Sequence, residues 1–86
     1  MKIEVQLEIT CMSMPEQYDA YINGNKAGYL RLRHGIFTVN YIDEEGEEIL
    51  MIKPQGDGDF TDKERPYYLR IAKEAIIREY KKHEHS

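Results

Sequence analysis

Tyr29, Arg31 and Arg33 stand at every second position of the segment GYLRLRHG. Side chains of an extended chain alternate between faces, so these three project together while Leu30 and Leu32 project the other way. Two guanidinium forks beside a phenol suit an anionic, planar ligand. Arginine matches the paired oxygens of carboxylate or phosphate, and tyrosine offers a stacking surface with a polar end. When the next segment folds back, Thr38 and Asn40 join the same face, with Tyr21 beside them. The expected ligand-binding set is therefore Tyr29, Arg31, Arg33, Thr38 and Asn40. Open sheets hold single-stranded nucleic acid with this combination, and a nucleotide is the smaller ligand of the same chemistry. The competing reading is a solvated sheet face, whose arginines cover apolar neighbours and pair with Glu4 or Glu8.

Nothing in the chain assembles a catalytic set. No nucleophile and base, and no two carboxylates, can be placed together in a cleft, so no catalytic residue, cofactor or metal is expected and the chain reads as a non-enzyme. His83-Glu84-His85 supplies too few fixed ligands for a metal. The acids from Asp57 onward resemble the start of a calcium loop, but Asp62 occupies the glycine position and Tyr68 the glutamate position. Gln55 and Gly58 resemble the pyrophosphate loop of acetyltransferases. Phe60 stands where that loop needs a small residue, and two aspartates would repel the phosphates. Cys11 is the single cysteine, so no intrachain disulfide can form, and its alternation with Ile9 predicts a small core residue.

The bulk properties narrow the field further. Eighty-six residues make one domain, expected over 1–82 with a flexible tail at 83–86. A chain this short buries roughly 60–65% of its unfolded surface, which makes a homodimer an expected source of stability. The net charge of −4 argues against an extended nucleic-acid footprint. Five acids crowd Asp43 to Glu48 and four more lie between Asp57 and Glu64. That crowding supports an alternative function: an inhibitor of phage accessory type, whose acidic turns imitate phosphates and block a basic site on a partner protein. No segment is apolar enough to span a bilayer, and the N-terminus alternates where a signal peptide would run apolar, so a cytoplasmic location is expected.

The elements that must position these residues follow from periodicity. Residues 2–11 alternate as a half-buried strand, and Pro15 interrupts the pattern. A second strand, about Gln17 to Ile22, ends at Asn23-Gly24, a hairpin signal. A three-residue loop there directs Tyr18 and Ala20 to the core; a two-residue loop would direct Asp19 inward, at a desolvation cost, so the longer loop is expected. A two-residue turn at His34-Gly35 pairs Leu32 with Phe37, Leu30 with Val39 and Gly28 with Tyr41. Asp43 to Gly46 makes another turn, and the continuous run Ile49–Ile52 lies in a fifth strand over Glu48–Lys53. Thr61 and Glu64 form a capping box, with Pro66 pushing the regular helix to start near Arg65. The predicted fold is α+β: a five-stranded antiparallel β-meander with one C-terminal helix packed on one face, βββββα in two layers. Ile36 and Ile42, with Leu50 and Ile52 as one alternate set of the fifth strand, are expected on the opposite face as the homodimer interface.

Overall fold

The computed structural model describes residues 2–12, 15–54 and 60–84. Five strands, β1 (Gln6–Met12), β2 (Glu16–Ile22), β3 (Asn25–Arg33), β4 (Ile36–Tyr41) and β5 (Glu47–Ile52), precede one helix, α1 (Glu64–Glu84). The strands form a single antiparallel sheet in the order β1-β2-β3-β4-β5, and α1 packs on one face. This is the expected meander with its C-terminal helix. Among the described residues no helix is long and apolar enough to cross a membrane.

The β3–β4 hairpin follows the sequence pattern residue for residue. His34 and Gly35 adopt φ of 54° and 74°, and Leu32, Leu30 and Gly28 pair with Phe37, Val39 and Tyr41. Both turn residues sit in the left-handed region that a tight hairpin requires.

The β2–β3 hairpin reaches the expected outcome by another route. Its turn has two residues, Asn23 and Gly24 at φ of 52° and 81°, closed by Ile22 opposite Asn25. The predicted three-residue loop is therefore incorrect. A bulge inserts Ala27 between Lys26, which pairs with Tyr21, and Gly28, which pairs with Ala20. One extra residue restores the alternation, so Tyr18 and Ala20 still face the core.

Two further bulges overturn sequence expectations. Between Ile9 and Cys11 the register slips by one, leaving Cys11 opposite Gln17 on the outer face, half-buried, instead of in the core. In β5 the slip falls at Ile49: Glu48 pairs with Asn40, but Leu50 pairs with Val39 and Ile52 with Phe37. Leu50 and Ile52 thus lie on the helix side, not on the proposed interface, and Met51 takes the outer position opposite Thr38, 54% exposed. Residues before Gln6 do not pair as strand, although Val5 is buried and Ile3 packs against the core.

The helix docks over β3, β4 and β5. Ala72, Ala75 and Ile76 are buried against it, with Leu30, Leu32, Phe37 and Val39 beneath. Gly28 leaves room for that approach: a Cβ there would lie 2.6 Å from Ile76 Cδ1 and force that side chain to shift. Phe60 meets Phe37 edge-on at 5.0 Å and stacks on Tyr68 at 5.2 Å. Burying each large apolar side chain contributes about 1.5–3 kcal/mol. At the helix start the capping box forms: Glu64 N–H donates to Thr61 Oγ1 at 3.1 Å, and Thr61 N–H to Glu64 Oε1 at 3.0 Å.

At the other end α1 runs through His83 and Glu84, which were expected to fray. His83 stacks on Tyr41 of β4 at 4.9 Å, which holds the last turn against the sheet, and lies 3.5 Å from Glu79 within the helix.

Candidate binding face

The face of the sheet away from α1 is built of two central rows. One runs Cys11, Gln17, Arg31, Thr38, Met51; the next runs Glu8, Asp19, Tyr29, Asn40, Glu48. All five predicted ligand-binding residues share this face. Tyr29, Arg31 and Thr38 are half-buried among their neighbours, whereas Arg33, at the end of β3, is exposed.

Their hydrogen bonds separate them into distinct roles. The Tyr29 hydroxyl accepts from Gln17 Nε2, which fixes the ring's outer end. Arg33 Nε donates to His34 Nε2 at 3.3 Å, and Thr38 Oγ1 donates to the Arg31 carbonyl at 3.4 Å. Among the described residues neither Arg31 nor Arg33 forms an ion pair, so the pairing with Glu4 or Glu8 does not occur. Asp19 instead pairs with Lys26 at 3.2 Å, and that hydrogen bond holds the lysine pKa above its ordinary value. Asn40 departs from expectation. Its amide donates to the Glu44 and Gly46 carbonyls at 3.1 and 3.3 Å, so it ties down the β4–β5 turn, and its donors are not turned to a ligand.

A depression of about 330 Å³ opens on this face, lined by Arg31, Arg33, His34, Ile36, Thr38, Glu48 and Met51. It gathers three of the predicted ligand residues and one predicted interface residue, Ile36; Tyr29 and Asn40 lie outside it. Charge is divided across it. The arginines stand on β3 and Glu48 on β5, strands whose backbones lie two spacings, about 10 Å, apart. Ile42 does not join this cluster. It follows β4 at φ 81°, rare for a β-branched residue, with its N–H bonded to the Ala27 carbonyl at 3.4 Å and its side chain 45% exposed.

The most heavily bonded polar cluster is one the sequence reading missed. Glu16 is 1% exposed on the helix side of the sheet, and Arg65 of α1 grips both its oxygens, Nε to Oε2 at 2.9 Å and Nη2 to Oε1 at 3.2 Å. Tyr18 O–H donates to the same carboxylate. Arg65 also reaches the Phe60 carbonyl at 3.1 Å and Asp62 at 3.2 Å. Burial, together with the adjoining carboxylate, pushes the Tyr18 phenol up to about 12. The hydrogen bonds to Glu16, ahead of every other influence, hold Arg65 more firmly charged than an ordinary arginine. The signal was present in the alternation: Glu16 shares parity with Tyr18 and Ala20, so placing those two inward places Glu16 inward as well. Among the described residues no buried side-chain polar atom lacks a partner, and the cluster works as a latch between β2 and α1.

The loop carrying Gln55, Gly56, Asp57, Gly58 and Asp59, weighed above for calcium and for pyrophosphate, lies outside the described residues. Phe60, which follows it, is a core residue. Comparison with protein-family models, with curated proteins and with solved structures finds no match to this chain.

Proposed function

We propose that this protein is a non-enzymatic, cytoplasmic binding module, homo-oligomeric in its ligand-free state, whose helix-free sheet face takes a small anionic ligand of the nucleotide type. Arg31 and Arg33 grip the anionic group, and Tyr29 offers its ring alongside. The observation that carries this reading is Arg31: a half-buried guanidinium on a central strand, without a carboxylate partner among the described residues. Arginines in such positions ordinarily find an acid, and a pair of forked donors left open favours a bidentate anion. Glu8, Asp19 and Glu48 share the face and the chain is acidic, which favours a short ligand over a long nucleic-acid track. Nucleoside monophosphates and a short oligonucleotide, titrated while backbone amide NMR shifts are followed, test the reading. Perturbations at 29–33 and 36–38 that weaken with salt and vanish in Arg31→Ala are expected; an unmoved spectrum overturns it.

One observation favours a second reading. Asp43, Glu44, Glu45, Glu47 and Glu48 are all exposed around the β4–β5 turn that Asn40 braces. A rigid acidic turn of this kind could block a basic site on a partner protein. In that case reversing Glu44 and Glu45 to lysine abolishes partner capture and Arg31→Ala leaves it unchanged.

A further inference from the structure

The uncovered face carries opposite charges on either side of β4. Arg31 and Arg33 rise from β3, Glu48 and Met51 rise from β5, and Ile36 and Thr38 lie between the two strands on β4. Such a layout is complementary to itself. A half-turn about an axis along β4 sets β3 of one copy over β5 of another, which brings Arg31 of each copy one side-chain row from Glu48 of the other, the reciprocal contact that a two-fold interface requires.

We propose that this face closes a two-fold dimer in which Arg31 of each copy takes the Glu48 carboxylate of the other, one side-chain row away, over a centre of Ile36, Thr38 and Met51. The proposal rests on the reading that these arginines hold an anion, and it names the resting source of that anion. Two observations and one packing rule support a second copy as the occupant. Arg31 has no ion pair within its own chain among the described residues. Met51 is more than half exposed beside Ile36, an apolar pair that a solvated face would not need. Two antiparallel sheets also pack face to face with their strands nearly aligned, which is the arrangement that this axis produces. A nucleotide on the same arginines then competes with the second copy, so ligand binding and assembly oppose one another.

Sedimentation equilibrium over a wide concentration series tests this on the wild type, on R31E, on E48R and on the double reversal. Each single reversal sets like charges against each other twice in the interface and should weaken association roughly tenfold or more. The double reversal should restore it, with circular dichroism confirming an unchanged fold throughout. A wild type that stays monomeric overturns the dimer; if its spectrum still moves with nucleotide, the anion reading survives alone. A folded double reversal no tighter than the single variants also overturns the proposed pairing. A restored dimer that ignores nucleotides supports the pairing and retires the small ligand.

Discussion

Arg65 and Arg31 place the same chemical group in two opposite situations. Arg65 belongs to the helix side, where a buried glutamate takes two of its donors and a backbone carbonyl a third. Arg31 belongs to the open side, equally half-buried, with no acid in its own chain among the described residues. The difference teaches where function can reside. A guanidinium whose charge and donors are satisfied within the fold is part of the scaffold, and one left open is available to something outside it.

The scaffold side should break first and hardest. Leu32→Asp places an unpaired acid where the exposure is 2%, and the loss should reach about 5 kcal/mol or more, the lower end of the 5–15 kcal/mol that a domain has in total. No cooperative thermal transition is expected. Arg65→Ala leaves the buried Glu16 carboxylate uncompensated, and urea titration should show about 3–5 kcal/mol of destabilisation.

Alkaline pH sharpens the same comparison. The Tyr18 phenol is raised in the fold to about 12 from 10.0, so its contribution is complete below pH 10 and is lost as pH climbs from 10 toward 12. A shift of that size corresponds to about 2–3 kcal/mol. Tyr41, raised chiefly by burial, and Lys26, raised chiefly by Asp19, act in the same direction. Tyr18→Phe should flatten the decline between pH 10 and 12 in denaturant unfolding. A slope equal to wild type would remove Tyr18 from the account.

On the open side the folded state should hardly respond. Ile36→Asp should leave the melting temperature near wild type while sedimentation shifts toward monomer; an unchanged mass would sink the proposed face. Arg31→Ala should change stability by no more than about 0.5 kcal/mol, as surface substitutions do, while removing the nucleotide-induced NMR shifts.

What the sequence made legible depended on whether two independent signals agreed. At His34-Gly35 the turn chemistry and the alternation of Leu30, Leu32, Phe37 and Val39 demand one register, and that register is present. The bulges at Thr10, Ala27 and Ile49 escaped notice because parity counting assumes an unbroken ladder. One added residue turns every later side chain to the other face. Cys11, Leu50 and Ile52 were misplaced for that reason alone. The five candidate ligand residues were placed correctly on one face, but the role of Asn40 depended on carbonyls of a turn whose shape no spacing reveals. The Glu16–Arg65 pair was half legible. Parity marks Glu16 as inward, yet a partner 49 positions away is set by helix docking.

That separation bears on the order in which the molecule assembles. Every strand pairs with its neighbour in the chain, so the sheet can zip up through short loop closures. The latch from Glu16 to Arg65 must instead close a span of 49 residues, more than half of the chain, which makes it a late event along the folding route. Removing the latch should therefore speed unfolding while leaving the refolding rate almost untouched. The lifetime of the folded molecule is governed by a contact that its formation does not wait for.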